Sequence, residues 1–469
     1  MKVAARDVNF QFWATAYSTL IGFALFVVLA RFLLPTDFGL YALGTVVAAV
    51  VYALGQAGFV SLAYTEIDRS EIMRNTLFWA NIITALILVL LTDGAVYVIV
   101  SEPNRRLFMI AIVSTLMITS VAEVANVALL TAQRFRALAA KQIAVQTAGA
   151  LVALLATYAG AAAWSLVFQR LVAGLLEVVL VFLLLRWRPR FAFDVREFKR
   201  LLPSAVRFAG NASLAALETR LGDVVLGIVS TLDQVAVFRI AVRVLDSIVS
   251  LICQPISSVT SASVAAEPFN KGANYLAHVR VLLWFGAAPF AGLLFFGDIL
   301  VPLVFGATWT KSGFVAQILA IQFFVAGPVW MADSALIATG RARELLMLRL
   351  FAALISSPLI IIFGMIGTKY IAFAISLRAV ILLPIYVNAT HFLTTLSTYE
   401  TLKIASRPFL VAITGVGVAR GFFEAARSAN YSVAFALPFG FVIGGLLFLV
   451  LFLIYGLPEL RSVIVWKRK

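Results

Sequence analysis

The chain has 469 residues, of which 62% are hydrophobic and only 13% charged, with a mean hydropathy of +1.02. Soluble domains carry roughly 25% charged and 45–50% apolar residues, so a water-soluble body of this length is excluded and lipid must cover the surplus apolar surface. The net charge of +15 does not point to nucleic acid, because Lys and Arg fall in short runs between apolar segments and no groove-sized basic domain exists.

The chain opens with Lys2 and Arg6, followed by an apolar run over 10–30. That run is long for a signal peptide and lacks a small-x-small cleavage site before Arg31, so it predicts an uncleaved first span. A helix needs about 20 residues to cross the hydrocarbon. Runs of that size recur at 40–64, 76–100, 107–131, 142–160, 163–185, 204–229, 235–260, 281–304, 314–338, 345–366, 370–396, 408–426 and 433–456, the break at 159–160 being the least marked. The expectation is an all-α integral membrane protein of about 14 transmembrane helices. Its organisation divides into an N-lobe over 1–185, a basic cytoplasmic linker over 186–207, a C-lobe over 208–400, and two last spans with a basic tail over 401–469.

Charge sets the orientation. With the N-terminus inside, about 25 of the 37 Lys and Arg fall on cytoplasmic segments and about six outside, as the positive-inside rule requires for an even number of spans. The inner set includes Arg134, Arg136 and Lys141, the run over 186–207, Arg341, Arg343 and Arg349, and the C-terminal Arg461, Lys467, Arg468 and Lys469. The outer set includes Arg105, Arg106, Lys311, Lys369 and Arg427. Both termini are therefore expected in the cytoplasm. The segment over 186–207 (RWRPRFAFDVREFKRLLPSAVR), with Pro189 and Pro203 as breakers, predicts an amphipathic surface helix, either a linker on anionic headgroups or a partner-docking element.

Two weak internal matches suggest a repeat. Phe38-Gly39-Leu40-Tyr41 aligns with Val235-Ala236-Val237-Phe238 at an offset of 197, and residues 128–136 (ALLTAQRFR) align with 335–343 (ALIATGRAR) at an offset of 207. First falls on seventh span and fourth on tenth, which implies two pseudo-symmetric six-helix lobes and a pathway between them.

Ionisable residues inside spans carry most of the functional signal. Arg170, Arg220, Arg239, Arg243, Arg378 and Arg420 lie within predicted spans and Arg31 ends the first; the acids are Glu123, Glu177, Glu218, Asp223, Asp246, Asp298 and Asp333. Each cation facing lipid would cost about 2.5–3.5 kcal/mol, so these groups face a wet cavity or one another. Arg239, Arg243 and Asp246 share one helical face, as do Arg220 with Asp223, Arg170 with Glu177, and Glu123 with Asn126. Individually these are as readily structural ion pairs as ligand contacts. As a set, Arg31, Arg170, Arg220, Arg239, Arg243 and Arg378 form a candidate cationic cavity, since guanidinium binds phosphate in a bidentate fashion at any accessible pH. Glu123, Glu177, Asp223, Asp246 and Asp333 are the candidates for ion coupling or ion pairing. No metal site is expected from His278 and His391, which are far apart in sequence, and Cys253 is expected as a buried small hydrophobe. Gly22, Gly39, Gly44, Gly55 and Gly58 are expected at close helix contacts, and Trp13, Trp79, Trp309, Trp330 and Trp466 at the membrane interfaces.

Residues 30–41 (ARFLLPTDFGLY), 223–227 (DVVLG) and 305–309 (FGATW), with the central basic loop, resemble the Wzx-type polysaccharide flippases of the MOP exporter superfamily along nearly the full chain. The second-half turn at Val235–Phe238 departs from the family pattern in lacking its Gly-Tyr pair. The resemblance implies two six-helix lobes plus two C-terminal helices in the bacterial inner membrane. It implies export of an undecaprenyl-pyrophosphate-linked oligosaccharide to the periplasmic leaflet by alternating access, with no cofactor and no enzymatic step. The implied partners are that lipid-linked oligosaccharide and membrane lipid, together with a polysaccharide polymerase and glycosyltransferases. Coupling to proton, sodium or membrane potential is left open. Two rivals are a drug/cation antiporter of the same superfamily, which would want an acidic, aromatic cavity, and a membrane glycosyltransferase or polymerase, which would want a long external loop.

Overall fold

A computed structural model describes residues 5–67, 70–185, 187–266 and 270–460. Lys2, Arg186, Trp466 and the basic tail over 461–469 lie outside the described residues. The described chain is helical throughout. Its elements are α1 (Ala5–Phe32), α2 (Pro35–Leu54), α3 (Gln56–Glu66), α4 (Glu71–Ile99), α5 (Pro103–Thr131), α6 (Phe135–Tyr158), α7 (Trp164–Leu184), α8 (Val195–Val229), α9 (Leu232–Ile248) and α10 (Gln254–Ala266). They continue as α11 (Lys271–Phe305), α12 (Thr310–Ala326), α13 (Ala332–Ala338), α14 (Ala342–Gly364), α15 (Thr368–Ala389), α16 (His391–Thr394), α17 (Thr398–Ser428) and α18 (Val433–Leu451). Among the described residues, twelve helical segments are long and apolar enough to cross a membrane. The two longest segments outside that set are α8 and the α9–α10 pair. They carry Glu218, Arg220 and Asp223, and Asp233, Arg239, Arg243 and Asp246 respectively. The chain is a multi-span membrane protein.

Helix starts follow local chemistry. Pro35 and Pro103 stand at first-turn positions where a missing N–H costs nothing. Ser70 caps α4 by accepting from the Met73 N–H at 3.0 Å, and Ser397 with Glu400 forms a capping box on α17. Asp194 caps α8 through the N–H groups of Arg196 and Glu197.

This last cap changes the expected linker. Residues 187–194 are not a surface helix but an extended strap laid on the start of α4. Asn75 accepts from the Arg190 N–H at 3.0 Å, Thr76 from the Asp194 N–H at 3.1 Å, and Trp79 donates to the Arg190 carbonyl while stacking on Phe191 at 4.7 Å. Trp187 is buried beside Phe78, with the Arg74 guanidinium over its ring. From Asp194 the chain runs on as one helix straight through Pro203, so the predicted breaker lies inside α8.

The chain forms two compact units, residues 1–239 and 240–469. In the first, α8 packs against α2 and α3, α1 against α6, α4 against α5, and α7 against both α5 and α6. Gly39 permits one of these contacts: a Cβ there would lie 2.1 Å from the Leu232 carbonyl oxygen, so the start of α2 and the start of α9 touch backbone to backbone. Hydrophobic cores collect around Phe59, Leu77, Phe78 and Trp187, and around Phe108, Ile112 and Val167. In the second unit α11 packs on α12 and α17, α12 on α15, and α17 on α18. Its cores include Phe296, Ala419 and Phe423, and Trp284 with Val411. Trp309, expected at an interface, is fully buried in this unit.

The repeat suggested by sequence reappears in the element boundaries. α2 and α9 begin 197 residues apart, at Pro35 and Leu232, and both of these segments are interrupted partway: at Gly55 in one, and at a π-helical turn over Val249–Cys253 in the other. α5 and the α12–α13 pair share both ends at an offset of 207. The turns that follow are built alike. Gln133 (φ 55°) and Gly340 (φ 73°) are left-handed, and each turn closes with the same two backbone bonds, from Gln133 to Leu130 and Arg134 to Leu129 in one, from Gly340 to Ile337 and Arg341 to Leu336 in the other.

Candidate functional site

Two separate groups of charged side chains stand in the first unit. The first is made by α8 and α9. Arg220 and Asp223 lie one turn apart on α8, and α9 turns Arg239 toward the same carboxylate. Asp223 Oδ2 accepts from Arg239 Nη1 at 3.2 Å and lies 3.7 Å from Arg220 Nη1. The carboxylate is buried (2% exposed), whereas Arg220 and Arg239 keep 31% and 20% of their side-chain surface. The buried acid orients two guanidinium groups that keep part of their surface exposed. Arg220, Asp223 and Arg239 from the predicted set are thus brought together.

The second group joins α5, α6 and α7 near the end where α5 turns into α6. Lys141 is buried (7% exposed), with Nζ 2.7 Å from Glu177 Oε1 and a further hydrogen bond to Asn126 Oδ1. Asn126 Nδ2 donates to the same Glu177 oxygen at 3.0 Å, closing a triangle. Glu123, one turn before Asn126, hydrogen-bonds the Tyr52 hydroxyl. A cavity of about 380 Å³ opens beside them, lined also by Ser18, Tyr64, Gln142 and Gln146. Lys141 was the residue sequence reasoning missed. It was counted with the basic end of the α5–α6 turn, yet it lies nearly two turns inside α6. Its spacing of 15 from Asn126 across a left-handed turn is the signal that places both on facing helices.

The remaining predicted residues are placed as follows. Arg31 is exposed at the end of α1. Arg170 is half-buried on α7 and does not share a contact with Glu177, whose carboxylate turns to Lys141 and Asn126 instead. Arg243 is half-buried and Asp246 exposed, both on the part of α9 that belongs to the second unit. In that unit Arg378 reaches Ser356 Oγ only at 3.5 Å. Asp333 accepts from Arg349 at 3.3 Å; Arg349, expected in a cytoplasmic loop, is largely buried on α14. Arg420 forms a two-pronged pair with Asp298, at 3.0 and 3.1 Å, and packs over Phe296 and Phe423.

The family model described as polysaccharide biosynthesis protein matches residues 28–314, more than half the chain. The chain belongs to the polysaccharide biosynthesis protein family. Within this family setting, a relative in Rhizobium meliloti (strain 1021), the succinoglycan biosynthesis transport protein ExoT, is 25% identical over 200 residues, a match covering 42% of this chain and 40% of that protein. The chain thus matches about two fifths of its curated relative. Among solved structures, the lipid II flippase MurJ in an inward closed conformation superposes with a TM-score of 0.76 at 14% identity, covering 97% of this chain and all of that one. An inward-facing multidrug resistance MATE family transporter of the MOP superfamily superposes with a TM-score of 0.59 at 15% identity, covering 83% and 96%. This polysaccharide biosynthesis protein therefore has the fold of MOP-superfamily transporters.

Proposed function

We propose that the chain is a flippase that carries an undecaprenyl-pyrophosphate-linked oligosaccharide from the cytoplasmic to the periplasmic leaflet of the bacterial inner membrane. It works by alternating access, with fourteen crossings and both termini in the cytoplasm. The observation that carries this reading is the Arg220–Asp223–Arg239 group on α8 and α9, two helices that are not among the twelve apolar spans. A pyrophosphate is a multivalent oxyanion, and a pair of positioned, partly exposed guanidinium groups is the side-chain chemistry that holds one. The family, the transport role named for ExoT and the flippase role named for MurJ support the same substrate class.

No nucleotide motif is needed for the cycle. A membrane potential negative inside favours outward movement of an anion by about 2.3 kcal/mol per charge per 100 mV. The step breaks no covalent bond, so the chain acts as a carrier and not as an enzyme. A polysaccharide polymerase and glycosyltransferases are its expected neighbours in the membrane. Arg31, Arg170, Arg243 and Arg378 remain candidates for further contacts with the anion, and Glu123, Glu177, Asp246 and Asp333 for coupling.

The test is flipping of a lipid-linked saccharide in proteoliposomes. The Arg220→Gln/Arg239→Gln double variant is expected to lose at least about tenfold in initial rate, corresponding to about 1.4 kcal/mol of lost stabilisation. Full flipping by the double variant, at wild-type levels of folded protein, would overturn the reading.

A further inference from the structure

We propose that the cavity beside Glu123, Asn126, Lys141 and Gln146 in the first unit is a saccharide-binding subsite. It holds the sugar portion of the lipid-linked substrate apart from the arginines that hold its phosphates. The inference rests on the flippase reading for the identity of the substrate, and on the cavity itself for the chemistry.

The starting point is cost. α5, α6 and α7 are helices of membrane-spanning character, and polar groups inside such helices are expensive unless something satisfies them. Here the polar groups converge on a void. Of its lining residues, Ser18, Tyr64, Glu123, Asn126, Gln142 and Gln146 all carry hydrogen-bonding side chains. The Ser18 hydroxyl oxygen is buried and has no hydrogen-bond partner among the described residues. At about 380 Å³ the void lies within the range of about 300–1,000 Å³ typical of small-molecule sites.

Charge decides which ligand fits. A phosphate is disfavoured because Lys141, the one cation among the described lining residues, is already paired with Glu177, and Glu123 adds a further acidic group to the wall. A bare metal cation is disfavoured because the Lys141 ammonium already sits between Glu177 and Asn126, where such an ion would sit. That triangle is closed and neutral. Facing the void besides are the Glu123 carboxyl group next to Tyr52, the hydroxyls of Ser18 and Tyr64, and the side-chain amide of Gln146. Carboxylates accept from hydroxyls, and amides both give and accept, so the set matches a neutral, hydroxyl-rich molecule. Lys141 has a second part in this arrangement: it fixes Asn126 and Glu177 in one rotamer, so the wall is formed before the ligand arrives.

The experiment uses the full chain in lipid nanodiscs and native mass spectrometry with two probes. One is undecaprenyl pyrophosphate alone; the other is the lipid-linked saccharide pool extracted from cells lacking this chain. Glu123→Gln and Gln146→Ala are expected to weaken retention of the glycosylated lipid at least tenfold relative to wild type and leave the bare pyrophosphate lipid unchanged. Arg220→Gln/Arg239→Gln is expected to weaken both probes. Equal loss of both probes in the cavity variants, or loss of neither, overturns the subsite. So does a Glu123→Gln variant that abolishes sodium- or proton-dependent flipping while keeping full preference for the glycosylated lipid, which would make the cavity a coupling site.

A wild-type protein that holds neither lipid would sink the flippase reading alone. The subsite is then decided by saturation-transfer NMR with the free saccharides released from the same pool. Binding to wild type that Gln146→Ala removes keeps the subsite, and absence of binding overturns it. Thermal unfolding of each variant checks that the fold survives, and the near-isosteric Glu123→Gln guards against collapse of the wall.

Discussion

Lys141 in the first unit and Arg420 in the second are both cations inside apolar helices, each within about 3 Å of a carboxylate, and their surroundings could hardly differ more. Arg420 meets Asp298 with two parallel bonds, donates also to the Phe295 carbonyl, reaches Glu424 at 2.7 Å and lies over the rings of Phe296 and Phe423. Gln317 takes up the remaining valence of Asp298 at 3.1 Å. Both Nη groups of Arg420 have acceptors and the flanks are aromatic, so the pair behaves as a clamp between α11 and α17. Lys141 is equally well paired, but its triangle with Glu177 and Asn126 forms one wall of a cavity with further polar groups opposite. Between these two pairs, the polar void beside Lys141 is what separates a wall that can meet a ligand from a clamp between helices.

The comparison is broken most severely by removing one member of the clamp. Arg420→Met leaves the half-buried Asp298 with Gln317 as its partner, and loss of one partner, about 3–5 kcal/mol in a fully buried pair, should cost about 2–3 kcal/mol here. Thermal unfolding in detergent should therefore show the largest destabilisation of any single variant considered. Replacing both partners, as Arg420→Met/Asp298→Leu, should restore most of the loss, since apolar residues can substitute for a buried pair when both charges go. A double variant no more stable than the single would show that Asp298 has a role beyond the clamp.

Lys141→Met sharpens the contrast. Glu177 then keeps Asn126 and borders a space that water can enter, so the stability loss should be smaller, about 1–2 kcal/mol, while transport falls as far as in the clamp variant. The informative quantity is the ratio of lost transport to lost stability, measured on the same preparations. Equal destabilisation by Lys141→Met and Arg420→Met would mean that the cavity is dry and that the two pairs are alike.

Apolar run length was enough to anticipate the helical class and twelve of the fourteen expected crossing segments, because lipid imposes one length and one hydrogen-bonding solution on every span; the segments expected over 204–229 and 235–260 fall outside the twelve. Arg220 and Asp223 were legible together because they lie one turn apart on a single helix. Their meeting with Arg239 needed the α8–α9 turn, which the sequence marks only by Ser230 and Thr231. Lys141 was hidden by the rule that made orientation readable: a lysine near a basic turn counts as a loop cation until a facing helix shows it a carboxylate. Arg170 and Glu177, expected on one helical face, point to a related lesson. Two residues seven apart share a face, but the side chain follows its best partner, and for Glu177 that partner stands on α6. Pro203 misled because proline is only a probable helix end: here it stands at the ninth position of α8 and the helix runs on through it.

The smallest effect tests the repeat itself. Gln133 and Gly340 occupy equivalent left-handed positions in the α5–α6 and α13–α14 turns, yet only Gly340 is free of the Cβ clash that disfavours this conformation. Gly340→Ala should therefore lower stability by about 1 kcal/mol. Gln133→Gly should raise it by about 0.5 kcal/mol, because relief of the clash is partly offset by the greater freedom of glycine in the unfolded chain. Neither side chain belongs to the Lys141 triangle or the Arg420 clamp, so transport per folded molecule should stay near wild type in both. Opposite signs of the two shifts in unfolding temperature would establish that the turns are the same structure built from different residues. Shifts of the same sign would show that the matched hydrogen bonds hide different strain, and the parallel between the two turns would then be one of backbone path alone.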